Sequence, residues 1–264
     1  MLLDAAGTAT LISQPPAWGA PPSVGAFMSQ RGGGVSAPPF ASLNVGAAVG
    51  DDPSAVAENR RRVATALGVP PVWLRQAHGV RVVQLTAADV GAAPHEADAA
   101  WTCESGVACT VQVADCLPVL LATADGAGVA AAHAGWRGLA GGVLEATVQA
   151  LCRGTGCAPG NVVAWLGPSI GPRQFEVGAD VLAAFGASPA QPDPARFVSR
   201  PRPDGSLRWC ANLPQLARDR LLAAGVVQVA GSGQCTVEDA SRFFSFRRDG
   251  ITGRQVAAVW RRGA

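Results

Sequence analysis

Residues 107–138 read VACTVQVADCLPVLLATADGAGVAAAHAGWRG. The first part alternates valine or cysteine with small or polar residues, the next two parts are short apolar runs, and turn residues separate them. Three strands are therefore predicted: residues 107–113, 119–122 and 128–133. Gly135 follows the third run and opens a helix that we expect to continue to about Cys152. Several strands followed directly by a helix predict a mixed α/β fold.

The rest of the chain repeats this mixture. One predicted helix begins after Asp52, a good N-cap, and ends at Gly68. Another begins at Asn212 and ends at Gly225. No linker divides the chain, so we predict an N-terminal extension over residues 1–28 and a single α+β domain over residues 29–264. A hairpin turn is expected near the chain end, at Asp249-Gly250.

The amino-acid composition limits the classes of function that the chain can have. The 264 residues are 48% hydrophobic and 15% charged with a net charge of +2, which predicts a globular protein without a nucleic-acid footprint. No apolar run reaches the roughly 20 residues that span a bilayer. The first residues lack a basic start before an apolar run, and the seven cysteines are an odd number in a large chain. We therefore predict a cytoplasmic protein without a membrane partner.

Two residue types are missing. Every one of the 21 basic residues is arginine, and there is no tyrosine. Schiff-base chemistry, a P-loop lysine and tyrosine acid–base catalysis are thereby excluded. The chain has three histidines, so any histidine chemistry must use His78, His95 or His133.

Three residues near strand ends could bind a metal. His78 lies in a glycine turn, Cys116 follows the first quoted strand, and His133 ends the third. Two imidazoles and a thiolate suit zinc, and three protein ligands leave a fourth position open, as catalytic zinc sites do. Their spacing matches no local zinc signature, so the alternative is that the histidines only make structural hydrogen bonds.

Two arginine segments could bind an anion. Arg137 follows a glycine turn at a predicted helix start, where backbone N–H groups and a guanidinium fork suit phosphate. The alternative is a surface arginine beside an ordinary helix start. Arg247 or Arg248 in the tail could reach a phosphate or carboxylate, whereas a strand with a charged edge is the plainer interpretation.

Several segments together resemble the YfiH-type laccase-domain family, also called multicopper polyphenol oxidases. They are residues 42–46 (SLNVG), 49–53 (VGDDP), 59–60 (NR), 76–79 (QAHG), 97–99 (ADA), 114–118 (ADCLP), 133–138 (HAGWRG), 167–171 (GPSIG) and 244–250 (FSFRRDG). The resemblance runs from about Ser29 to about Trp260. Phe246 stands where the family often has tyrosine.

The resemblance implies a layered α/β/β/α sandwich and a zinc ion held by His78, Cys116 and His133. It also implies phosphorolysis of adenosine, inosine, guanosine and methylthioadenosine, together with adenosine deamination, and it links bacterial members to peptidoglycan precursor editing. In this chain Asn44 and Gln76, which lie in the matching segments, become candidates for binding substrate or phosphate.

The word laccase can be tested against the composition. Three histidines and two methionines are too few for a multicopper cluster within one chain. One Cu²⁺ in place of zinc at the same site stays an alternative, and with it a copper-dependent phenol oxidase.

We therefore expect a zinc-dependent purine nucleoside phosphorylase that takes a purine nucleoside and phosphate, as a monomer or homodimer. Arg137 would hold phosphate, and Trp136 or Phe175 would stack on the base. In deamination, Asp115 is the first candidate and Asp98 the second for moving the proton.

Two other classes stay open. A metal-free hydrolase would use Cys116 as nucleophile and a histidine as base, acting on a peptidoglycan precursor. A binding protein with a structural zinc would need a fourth ligand, for which Cys103 or Cys109 would have to serve.

Overall fold

The computed structural model of the protein describes residues 18–263. The strands are β1 (Val24–Met28), β2 (Pro71–Val72), β3 (Val82–Gln84), β4 (Ala99–Thr102), β5 (Ala108–Val113), β6 (Leu117–Thr123), β7 (Val129–Ala134), β8 (Val162–Leu166), β9 (Glu176–Val177), β10 (Phe197–Ser199), β11 (Trp209–Ala211), β12 (Gln228–Gly231) and β13 (Gln255–Arg261). The α-helices are α1 (Pro53–Leu67), α2 (Trp136–Gly141), α3 (Val143–Thr155), α4 (Ala179–Ala184), α5 (Leu213–Ala223) and α6 (Phe246–Asp249).

Two sheets form the centre of the molecule. One has four strands in the order β1-β13-β5-β2, and the other has six in the order β12-β8-β6-β7-β4-β3. A small third sheet has the order β10-β11-β9. In the six-stranded sheet, β6 and β7 are antiparallel and Pro118 lies opposite His133. The residues just before β6 therefore lie beside the end of β7, where the candidate site forms.

Successive side chains of a strand point to opposite faces of the sheet, and this alternation produces the layers. Leu120 of β6 packs between the sheets with Val111 and Val259 of the four-stranded sheet. Its neighbours Val119 and Leu121 face the other way and contact α3 and α5. On the far side of the four-stranded sheet, the apolar face of α1 covers β13. The predicted α/β/β/α sandwich is thereby confirmed, and successive side chains point to opposite faces as strand geometry requires.

Two local expectations were wrong. The helix predicted from Gly135 to Cys152 is interrupted at Gly142, whose φ of 100° closes α2 and starts α3. A left-handed residue cannot continue an α-helix. The hairpin expected at Asp249-Gly250 is the end of α6, because the buried Ser245 side chain accepts a hydrogen bond from the Arg248 amide and caps a helical turn.

The predicted N-terminal extension of residues 1–28 lies partly outside the described residues. Its last part forms β1, and every residue of β1 pairs antiparallel with β13.

Among the helices of residues 18–263, none has the length and apolar character needed to cross a bilayer.

Candidate active site

Three different parts of the chain bring the candidate metal ligands together. His78 lies in the loop between β2 and β3, Cys116 in the turn between β5 and β6, and His133 near the end of β7. Their ligand atoms all lie within 4.8 Å of one another. The Cys116 Sγ is 3.8 Å from His78 Nε2, and the two imidazole rings meet edge to face with centroids 4.8 Å apart.

The three side chains differ in exposure. His133 is 3% exposed and belongs to the buried end of its strand, whereas His78 is exposed and Cys116 is half-buried. The cluster is therefore open on the His78 side and closed on the His133 side. An open position on a three-ligand cluster is the arrangement that lets a substrate approach.

The Asp98 carboxylate connects the two histidines. It accepts hydrogen bonds from the backbone amides of Ala77, His78 and Gly79 at 3.1, 2.9 and 2.7 Å. It also lies 2.8 Å from His133 Nδ1. Asp98 is 1% exposed, and burial would raise its pKa, but its hydrogen bonds with His133 and with Gly79 outweigh burial and lower the pKa. A carboxylate on Nδ1 leaves Nε2 of His133 directed to the cluster.

Backbone conformation also shapes the site. His78 has a φ of 59° and Asp115, next to Cys116, has a φ of 89°. Positive φ is uncommon for residues other than glycine and is concentrated at functional sites. The three hydrogen bonds to Asp98 hold the His78 loop in this conformation.

The thiol and the buried imidazole perturb each other. Burial by itself would raise the pKa of the Cys116 thiol, but the charge of His133 and hydrogen bonds from both histidines lower it to about 6. Burial would lower the pKa of His133, but the Cys116 thiolate and the Asp98 carboxylate raise it to about 9. A thiolate at neutral pH is both a metal ligand and a nucleophile.

Gly135 fits tightly beneath the cluster. A Cβ at this position would lie 3.0 Å from His78 Cδ2 and 3.1 Å from Cys116 Sγ. One helical turn on, a Cβ at Gly138 would lie 2.7 Å from the Gly79 carbonyl oxygen. The two glycines therefore let the start of α2 approach the ligands and the His78 loop closely.

A cleft of about 630 Å³ opens over the cluster. Besides the three candidate ligands, its wall contains the side chains of Trp73, Gln76, Phe246 and three arginines, Arg60, Arg75 and Arg254. The Arg60 guanidinium lies 4.4 Å from the Trp73 ring centroid and donates to the Val45 carbonyl at 2.9 Å. Burial lowers the pKa of Arg254, and the nearby Cys116 and Asp115 charges oppose that change.

Two predicted substrate residues have structural partners. The Gln76 side chain lines the cleft and exchanges two hydrogen bonds with the backbone of Gln112, at 2.8 and 2.9 Å. Asn44 is fully buried and bonded to Gly46 and Asp51, and its oxygen accepts from the Arg254 amide at 2.8 Å. Asn44 thus lies behind the cleft wall and supports the loop that forms it.

Asp115 directly precedes Cys116, and both of its carboxylate oxygens accept hydrogen bonds. Oδ1 accepts from the Thr236 hydroxyl and Oδ2 from the Arg247 amide, each at 2.6 Å. The Asp115 carbonyl accepts from the Ile170 amide at 2.9 Å. Asp115 therefore joins the Cys116 turn to two distant loops, and this geometry suits positioning better than proton transfer.

Four other predicted residues lie off the cleft wall, as far as residues 18–263 form it; they are Trp136, Arg137, Phe175 and Arg247. The Arg137 guanidinium stacks on Trp136, with 4.4 Å to the ring centroid. The Arg247 guanidinium lies over Phe175 and donates to the carbonyls of Gln174 and Glu176. Phe175 belongs to the core.

Sequence reasoning missed five residues of the cleft wall, which are Arg60, Trp73, Arg75, Phe246 and Arg254. Arg60 and Phe246 stand inside segments that carried the family resemblance, so those segments held a usable signal. Trp73 and Arg254 reach the cleft through contacts between distant parts of the chain, and no local pattern marks them.

Comparison with known proteins gives consistent matches. The chain is 51% identical over 245 residues to a Pseudomonas aeruginosa protein called purine nucleoside phosphorylase PA4543, covering 93% of this chain and 96% of the relative. It is 47% identical over 247 residues to Escherichia coli purine nucleoside phosphorylase YfiH, covering 93% and 97%.

Comparison with solved structures gives the same result as comparison with these relatives. Neisseria meningitidis protein NMB0706 matches with a TM-score of 0.84 and 43% identity, covering 95% of this chain and 99% of that one. YlmD from Geobacillus stearothermophilus matches with a TM-score of 0.84 and 34% identity, covering 96% and 99%. The model of the family described as multi-copper polyphenol oxidoreductase laccase matches residues 25–262. The chain therefore belongs to this laccase-like YfiH family.

Proposed function

We propose that the protein is a zinc-dependent purine nucleoside phosphorylase. It converts adenosine, inosine, guanosine or methylthioadenosine with phosphate into the free base and the ribose 1-phosphate. The observation that carries the proposal is the convergence of His78, Cys116 and His133 at a cleft that also contains half-buried arginines. The names of the relatives from Pseudomonas aeruginosa and Escherichia coli support the same activity.

The donor set fits zinc. Zinc bonds to imidazole nitrogen at about 2.0–2.1 Å and to thiolate sulfur at about 2.3 Å. Ligand atoms within 4.8 Å of one another can share such an ion after small side-chain adjustments. Asp98 fixes the ring of His133 in the way that carboxylates orient metal-binding histidines. A bound zinc ion supplies Lewis-acid stabilisation of developing negative charge.

Phosphate binding falls to Arg60 and Arg254 in this proposal. Both residues line the cleft, and both remain cationic at neutral pH because arginine does not deprotonate in proteins. A guanidinium can hold phosphate through two parallel hydrogen bonds. Arg137, which the sequence favoured for this role, lies off the cleft wall.

The reaction balances without a further reactant. A phosphate oxygen forms a bond to the ribose anomeric carbon while the bond from that carbon to the base nitrogen breaks. The base leaves with the bonding electrons and takes up the proton that the attacking hydrogen phosphate gives up, so the products are the neutral base and the ribose 1-phosphate dianion. The arginines hold the attacking anion in place, and positioning of this kind converts a bimolecular reaction into an effectively unimolecular one.

A first experiment combines metal analysis with an assay of adenosine and phosphate. About one zinc per chain, with adenine released by the wild type and not by Cys116→Ala, supports the proposal. Arg60→Gln is expected to raise the KM for phosphate about tenfold or more, since it removes a charged hydrogen-bond donor. Arg61→Gln is the matched control, because Arg61 lies on the same helix and pairs with Glu58.

The same preparation tests the finer parts of the proposal. Conversion of adenosine to inosine without phosphate reports deaminase activity. Copper analysis and a phenol oxidation assay test the copper alternative. Sedimentation separates the monomer from the homodimer, and cell fractionation tests the cytoplasmic location.

A metal-free cysteine hydrolase is the second candidate, because the lowered pKa of Cys116 and its contact with two histidines also suit a nucleophile. Protein without metal, with rapid alkylation of Cys116 and cleavage of a peptidoglycan precursor, would favour this candidate. Zinc without nucleoside turnover would reject the proposed substrates.

A further inference from the structure

Phe246 is a large apolar side chain that is 59% exposed and lies in the cleft wall. The two phenylalanines just before it, Phe243 and Phe244, are buried. Its side chain therefore contributes little to the core, in contrast to the two phenylalanines that precede Ser245. An exposed aromatic ring in a cleft is a feature of ligand sites.

The backbone beneath Phe246 is held firmly. The next amide, of Arg247, donates to Asp115 Oδ2 at 2.6 Å. The Ser245 hydroxyl caps α6, and the Arg248 guanidinium donates to the carbonyls of Thr236 and Phe243 at 2.7 and 2.9 Å. A ring on a fixed backbone presents its surface at little entropic cost when a ligand binds.

The Asp115 contact also ties Phe246 to the candidate metal ligands. Asp115 precedes Cys116, so one carboxylate spans the thiol turn and the start of α6. The backbone that carries the ring is thereby tied to the turn that carries the thiol.

Other aromatic residues are less suited to receive a flat ligand. The Trp73 ring is already faced by the Arg60 guanidinium at 4.4 Å. Phe175 is buried in the core and lies under Arg247. Trp136 packs against the core and the Arg137 guanidinium. Among the described cleft residues, Phe246 offers the most accessible aromatic surface.

We propose that Phe246 stacks on the purine base and that it thereby selects aromatic bases as leaving groups. This inference rests on the proposed function, since it names the part of the cleft that holds the base. Stacking makes no hydrogen bonds to the edges of the base, so it favours aromatic bases as a class and discriminates poorly among the purines.

The test uses the zinc-loaded protein and 2-aminopurine riboside, whose fluorescence is quenched by stacking. Phe246→Leu keeps an apolar side chain and removes the flat ring, and it is expected to weaken binding about tenfold. Phe246→Trp is expected to restore wild-type affinity within about threefold. In phosphorolysis, Phe246→Leu should raise the nucleoside KM while kcat and the phosphate KM change little.

Ile251→Ala is the matched control, because Ile251 is 64% exposed on the same segment and lies outside the described cleft wall. Phe246→Leu with unchanged affinity, or Phe246→Trp no better than Phe246→Leu, would overturn the inference while leaving phosphorolysis intact. Probe binding that depends on Phe246 without any phosphorolysis would reject the proposed function and keep the stacking role. A wild-type protein that binds no purine riboside would reject both.

Discussion

Asp98 is the residue through which the two candidate histidine ligands are coupled. Its carboxylate accepts three amides of the His78 loop and bonds to His133 Nδ1. Asp98→Asn replaces one acceptor oxygen by a donor group, which cannot accept from these amides. We expect zinc affinity to fall about 10- to 100-fold, as for other residues that orient metal ligands. Competition with a chromophoric chelator measures the change.

The chain contains a matched control for that substitution. Asp89 Oδ1 lies 2.7 Å from His95 Nε2, which makes a second carboxylate–imidazole pair outside the described cleft wall. Asp89→Asn should leave zinc affinity unchanged. Equal affinity of Asp98→Asn and the wild type would show that Asp98 does not orient the ligands.

Gly135 gives a second test on the residue scale. Its φ of −66° suits alanine, so Gly135→Ala strains no backbone dihedral. The added Cβ would press on His78 and Cys116 at 3.0 and 3.1 Å, which displaces the ligands by a few tenths of an ångström. We expect kcat to fall at least tenfold because small misplacements at a reacting centre are costly.

The control for Gly135→Ala is Gly32→Ala, where nothing lies within 4 Å of the added Cβ. Activity and zinc content should both stay at the wild-type level in that variant. Wild-type kinetics in Gly135→Ala would mean that the cluster tolerates a shift and that close packing beneath it is unimportant.

The sequence could suggest His78, Cys116 and His133 because each lies near a strand end, where loops present functional groups. Their convergence depends on the pairing of β6 with β7 and on the Asp98 hydrogen bonds, and neither leaves a local pattern. Arg254 could not be predicted for the same reason. Its place in the cleft is set by the bond between its amide and Asn44, far away in the chain.

On the scale of elements, Gly142 separates α2 from α3. Its φ is 100°, and a Cβ there would meet only the flexible Glu145 side chain, at 3.7 Å or more. The cost of Gly142→Ala is therefore backbone strain of about 1–2 kcal/mol. Urea unfolding should show a decrease of that size in the free energy of unfolding.

A suitable comparison is Gly160→Ala, since Gly160 has no neighbour closer than 4.0 Å and no positive φ. Its stability should stay close to that of the wild type. A Gly142→Ala variant as stable as the wild type would show that the break between α2 and α3 does not require a left-handed residue. The single helix that the sequence predicted would then be an alternative of equal free energy.

On the scale of the whole molecule, the fold class followed from strand alternation and helix caps, but the sheet order did not. β13, near the chain end, lies between β1 and β5, and β12 pairs with β8. Each pairing joins segments that are distant in sequence. The alternation of apolar residues predicts which face of a strand is buried, but it does not predict which strand will pair with it.

The layered core also predicts how the fold and the activity respond to removal of a metal ion. The apolar clusters between the sheets and beneath the helices do not include the candidate ligands His78 and His133, and Cys116 packs against only one of the clusters. The hydrogen bond between Asp98 and His133 uses Nδ1 of the imidazole and leaves Nε2 for a metal, so it does not depend on an ion. We therefore expect a strong chelator to abolish phosphorolysis while circular dichroism stays native at 25 °C, and added zinc to restore turnover.

Each departure from that result has a distinct meaning. Unfolding on chelation would indicate a structural zinc, because loss of a tightly bound ion removes its binding free energy from stability. Full activity of a folded, metal-free protein that Cys116→Ala abolishes would instead support the cysteine hydrolase. Loss of activity with the fold intact fits the three-ligand, open arrangement, since the core supplies the stability and the cluster supplies the chemistry.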